Sequence, residues 1–166
     1  MARSKSKKQQ EPEIRLINAA LALAARRRWR DLRVADIAAE AEMSIADALA
    51  QVYSKTAILN ALGRHINRAV LEDLHTDSEI GDSPKDRLFD LMMRRFDAMG
   101  DFRSGLAGIS ADLGLDPCAA LSQFCGIQHA MALTLEAAGV PTAGPCGVLR
   151  RQGLSAISTI AEYSIV

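Results

Sequence analysis

The chain has 166 residues, 49% of them hydrophobic and only 4% aromatic, enough apolar material for one ordinary domain or for a small head fused to a larger helical body, with no need of covalent staples. Its 20 Lys and Arg balance 20 Asp and Glu, which excludes a uniformly basic polyanion binder. The three cysteines, Cys118, Cys125 and Cys146, show no C-x-x-C spacing, which argues against a disulfide framework and for free thiols in a reducing compartment.

Ala and Leu dominate while β-branched residues are sparse, so nearly all of the chain is expected to be helical. No apolar run approaches the length of a membrane span, and the basic start has no apolar segment behind it. The expectation is a cytoplasmic protein with no integral membrane segment. Residues 1–10 are polar, basic and aperiodic, and are expected to form a disordered tail. Before position 31, Arg3, Lys5, Lys7, Lys8, Arg15, Arg26, Arg27, Arg28 and Arg30 face only Glu11 and Glu13. Such an arm suits phosphate, from nucleic acid or anionic lipid; it is equally what a solvated tail and an exposed helix end look like.

A first helix is expected from about Glu11 to Trp29, with Pro12 in its first turn, Ile14, Ile17, Leu21 and Ala24 on one face, and Arg26–Arg28 in its last turn. A short second helix, Val34–Ala41, places Val34, Ile37, Ala38 and Ala41 on one stripe. After a break at Glu42 and Met43, Ser44 stands three residues before Asp47, the S-x-x-D form of a capping box, so a third helix should run from Ile45 to about Val52. Ser54 is placed to cap a long fourth helix from Lys55 to about Leu74, with Ile58, Leu59, Leu62, Ile66, Ala69 and Val70 as its buried stripe. His75–Pro84 reads as a loop by composition. Further helices are expected at about Lys85–Met99, Phe102–Leu113, Pro117–Ala138, with Asp116 as cap, and Gly147–Tyr163.

Two short helices joined by a tight turn and buttressed by a longer one form a unit that can lay its second helix in the major groove. The order RVADIAAEA, EMS, IADALAQVY, with Ile37 and Ala38, the small Ala41, Ser44, Lys55 and Leu59 in register, resembles the TetR family over about residues 12–62. The resemblance implies an all-α, TetR-like protein: a three-helix helix-turn-helix head over residues 11–62, including the start of a linking fourth helix, and an antiparallel helical body over 63–166. It also implies a homodimer, each head reading half of a palindromic DNA site, while the body dimerises and encloses a small hydrophobic effector. Ser44 and Lys55 match positions that cap helices and touch DNA phosphate in the family, and Tyr53 lies beside its conserved aromatic pair. The DNA-contacting set expected on this basis is Arg33, Ser44, Ile45, Ala48, Gln51, Tyr53 and Lys55.

The chain also departs from the family pattern. Glu42 stands where the turn usually has Gly, Arg33 where the cap is usually Thr or Ser, and Leu49 and Val52 where aromatic residues are usual. The third helix has no Lys or Arg, and Gln51 is its one ready reader of a base edge. Asp47 is explained by its cap with Ser44.

The stretch Asp86–Met99 carries a wide apolar face. Met92, Phe96, Met99, Phe102, Phe124 and Met131 are expected either to line an effector pocket or to form an ordinary bundle core. The same stretch is similar to bacterial relatives of a ubiquinone-biosynthesis accessory family that has a TetR-like fold and binds lipid instead of DNA. A lipid-binding accessory protein is therefore the alternative function. Cys118, Cys125 and His129 share one helix at spacings of seven and four, open to a metal face or a buried helix face, and no metal or other cofactor is expected from so few ligands. No G-x-S-x-G, P-loop or H-E-x-x-H motif is present, so no enzyme is expected. Family members close the body with two long helices; this chain ends within or just after the first of them, so the body is expected to be shortened.

Overall fold

The computed structural model describes residues 11–72, 83–100, 102–113 and 117–165. Among these residues the chain is all-helical, with no strand. In chain order the helices are α1 (Pro12–Ala24), α2 (Val34–Glu40), α3 (Ile45–Gln51), α4 (Lys55–Glu72), α5 (Pro84–Gly100), α6 (Arg103–Leu113), α7 (Pro117–Ala137) and α8 (Gly144–Ile165), with a 3-10 turn at Trp29–Asp31 between α1 and α2. The basic tail, Asp116, and most of the expected loop after α4 lie outside the described residues. None of the described helices is long and apolar enough to cross a membrane.

The chain divides into two compact units. The first comprises Met1–Leu62 and Ser104–Ala120, the second Gly63–Arg103 and Leu121–Val166. Ser104–Ala120, counted with the body on sequence pattern, thus belongs with the first unit.

In the first unit α1 packs against α2 and α3, and α2 against α3. Pro12 sits in the first turn of α1, where its missing N–H removes nothing. Ile17, Leu21 and Ala24 are buried as their spacing implies and Ile14 is half-buried, but Leu16, Ala19, Ala20 and Leu23 are buried too. This breadth has a cause beyond α2 and α3, because α6 also lies against α1 at backbone distance. A Cβ on Gly105 would fall 2.6 Å from the Leu21 carbonyl oxygen, and one on Gly108 would come closer still to that of Ala24.

α1 stops at Ala24 instead of reaching Trp29. The chain leaves the helix there and turns through Trp29–Asp31, with Trp29 and Leu32 both buried. Arg26 therefore follows the helix, yet its Nε still donates to the Ala22 carbonyl (2.9 Å) and its Nη2 pairs with Glu40 (3.0 Å), so the cation keeps its favourable place at the helix C-terminus. The turn is pinned from the start of α4: Lys55 Nζ donates to the carbonyls of Trp29 (2.7 Å) and Arg30 (3.2 Å) and lies 5.2 Å from the centre of the indole ring.

In the second unit Met92, Ala130 and Met131 form a buried cluster, with Leu88, Phe96, Ile127 and Leu154 packed against it. Arg95 is buried and its Nη1 donates to Asn67 Oδ1 (2.6 Å). Ser83 caps α5 by accepting from Asp86 N–H (3.2 Å), with Pro84 in the first turn. α7 ends on Gly139 at φ 77°, where Gly139 N–H reaches Glu136 O and Val140 N–H reaches Leu135 O, both at 2.9 Å, the hydrogen bonds of a Schellman cap. α8 starts at Gly144, three residues before the expected Gly147, because Pro145 suits a first helical turn.

Candidate functional site

The turn between α2 and α3 closes with two hydrogen bonds. Glu42 N–H reaches Ala39 O (3.0 Å) and Met43 N–H reaches Ala38 O (2.9 Å), again the Schellman pattern. Glu42 is its left-handed residue, at φ 54°, the conformation glycine adopts most easily. The guanidinium of Arg15 in α1 holds the turn from beneath, its Nη2 donating to the carbonyls of Ala41 and Glu42. Sequence reasoning missed Arg15, since nothing in a helical repeat marks an arginine whose partners lie 26 and 27 residues away.

Both short helices are capped, in different ways. Arg33 has no acceptor to offer α2, so only the reciprocal half of a capping box forms: the Asp36 carboxylate accepts Arg33 N–H at 2.8 Å. Ser44 Oγ accepts from Asp47 N–H (3.1 Å) and donates to the Asp47 carboxylate (2.7 Å). The cap of α3 therefore forms, with the acid turned to the Ser44 hydroxyl. Ser54 Oγ likewise accepts from Ala57 N–H (3.1 Å) at the start of α4.

α3 rests on Ala48, followed by Val52, as its buried contacts; Ile45, Ala46, Asp47, Leu49, Ala50 and Gln51 are all exposed. Of the residues expected to touch DNA, Arg33, Ser44, Ile45, Gln51 and Tyr53 are exposed, Tyr53 at 83%. Ala48 is at 0% exposure, because it is the residue by which α3 packs on α1 and α2; it has no access to a base edge. Lys55 is half-buried and its ammonium is bonded to the Trp29–Arg30 turn, so its first role is to hold the fold.

No protein-family model matches this chain, and no curated protein matches its sequence.

The arginines after α1 gather at one place in the first unit. Arg26, Arg27, Arg28 and Arg30, with Ala24, Ala25, Gly108, Ala111 and Asp112, line an open cleft of about 460 Å³. Asp112 closes one side by accepting Arg30 N–H at 3.2 Å. Of the six residues expected around an effector, Met92, Phe96 and Met131 come together in the core of the second unit. Met99 and Phe102 are half-buried, while Phe124 is 55% exposed. Cys118, Cys125, Cys146 and His129 are exposed, so the buried helix face weighed for Cys118, Cys125 and His129 is replaced by an open one. Among the described residues no group of three or more His, Cys, Asp or Glu is placed to hold a metal ion.

Proposed function

We propose that the chain is a TetR-like transcriptional regulator, a repressor that binds palindromic DNA as a cytoplasmic homodimer and is released by a small hydrophobic effector, without catalysing a reaction. The observation that carries this reading is the presentation of α3: a tight Schellman turn and a serine cap hold a short helix that buries Ala48 and turns its other faces to solvent. That is what a helix must do to enter a major groove. The effector mechanism follows from geometry, since a change in the separation of two heads breaks their match to two half-sites. Binding to the DNA flanking the protein's own gene, measured across a salt series, tests the proposal. Affinity at physiological salt no better than for random DNA sinks it.

A second reading is supported by a specific observation. α3 carries no cation, Ile45 and Leu49 are exposed on it, and the nearby Lys55 ammonium is already engaged. These features suit the lipid-binding accessory alternative, in which the head is retained as a scaffold. Mass spectrometry of lipids carried through gentle purification tests it, and an empty preparation removes it.

A further inference from the structure

We infer that the outward face of α3 selects A·T base pairs by apolar contact with thymine methyl groups, with Gln51 reading adenine, and that guanine plays no part as a directly read base. The inference rests on the regulator proposed above. α3 advances roughly 100° per residue, which fixes how its exposed side chains are arranged around the buried Ala48. Ala46 and Ala50 lie opposite Ala48, at the outermost line of the helix. Ile45 and Leu49, 52% and 47% exposed, form an apolar flank on one side of that line. Asp47 and Gln51 form a polar flank on the other.

Each part of this surface has a matching feature in the major groove. Two alanines at the outermost line let the helix axis approach the base edges closely, with no long side chain holding it away. The flank of Ile45 and Leu49 has no hydrogen-bonding group, and the one apolar feature a base pair shows in the major groove is the C5-methyl of thymine. The Gln51 amide offers the donor and acceptor pair that matches adenine N7 and N6. Guanine is read chiefly by Arg or Lys at O6 and N7, and α3 has neither. The Asp47 carboxylate accepts from the Ser44 hydroxyl, whose oxygen accepts Asp47 N–H, and Gln51 is the side chain of the polar flank that offers both a donor and an acceptor. Ile45 and Leu49 keep about half of their surface in solvent, whereas Ala48 and Val52 are buried, so the first two present apolar surface to a partner.

The experiment uses the full chain and a random-sequence duplex pool. Sites retained after repeated selection are sequenced, and the thymines of the selected half-site are then replaced one at a time by deoxyuridine, which removes the methyl and nothing else. The expected result is A·T-rich half-sites in which one or two thymines lose about fourfold in affinity each on replacement, the worth of one buried methylene-sized group. In the variant Leu49→Ala, the penalty at one of those thymines should vanish while helical content and Trp29 fluorescence stay unchanged. Sequence-specific binding that is insensitive to deoxyuridine at every position, or selected half-sites centred on G·C pairs, overturns the thymine inference and leaves the regulator standing. A pool that shows no enrichment over random sequence overturns the regulator, and this inference with it.

Discussion

Glu42 occupies the one left-handed, non-glycine position among the described residues, and its backbone is held there by the Schellman bonds and by Arg15. A side chain in that region costs about 1–2 kcal/mol relative to a relaxed backbone, while glycine accepts it freely at some expense in unfolded-state entropy. Glu42→Gly is therefore expected to raise stability by about 0.5–1 kcal/mol net, read as a higher midpoint in urea. An unchanged or lower midpoint means that the Glu42 side chain contributes something the geometry does not display. Lys55 works in the opposite sense. Lys55→Met keeps the stem but removes the ammonium that donates to two carbonyls and faces the indole, a loss of about 1.5–3 kcal/mol for charged hydrogen bonds of this kind. Trp29 is the only tryptophan in the chain and is buried, so its fluorescence reports this unfolding directly. Ser44→Ala is expected to cost about 1 kcal/mol through loss of the α3 cap.

The contact of α6 with α1 is governed by the absence of side chains. At Gly108 a Cβ would run into the Ala24 carbonyl and at Gly105 into the Leu21 backbone, and neither obstacle is the end of a flexible side chain. Gly108→Ala must therefore push the helices apart or bend one of them, with an expected loss of about 1–3 kcal/mol. Gly126 in α7 supplies the control, since nothing lies within 4 Å of a Cβ built there. Gly126→Ala should instead gain about 0.5–1 kcal/mol by helix propensity. The paired measurement of thermal unfolding separates close packing from propensity; equal effects at the two positions would mean that α6 does not lie on α1 as described.

Across the second unit, Leu121 and Phe124 on α7 and Val148, Leu149 and Ile157 on α8 are exposed. Exposed apolar side chains drive association where they form one patch, and the proposed homodimer requires a self-complementary patch. The pair of substitutions Phe124→Glu and Leu149→Glu is expected to shift the sedimenting species from two copies to one with the helical signal unchanged. A wild-type chain that sediments as a strict monomer at micromolar concentration removes the palindrome-reading geometry.

Much of this molecule was legible before its structure. The helical class, the caps at Ser44 and Ser54, and most of the expected buried stripes of α1 and α4 follow from local rules, because capping and amphipathic burial depend on residues within one or two turns of each other. Three features depended on the tertiary structure alone. α1 ends at Ala24, and the lysine that holds the turn after it arrives from 26 residues beyond Trp29. α6 belongs with the first unit through two glycines whose value lies in what they lack, a property composition does not reveal. The two short helices α2 and α3 and the turn between them were legible from local spacing, yet which of their residues face outward was not. Ala48 was expected to touch DNA and is fully buried, since the face a seven-residue helix presents is set by what it packs against, not by its own short pattern.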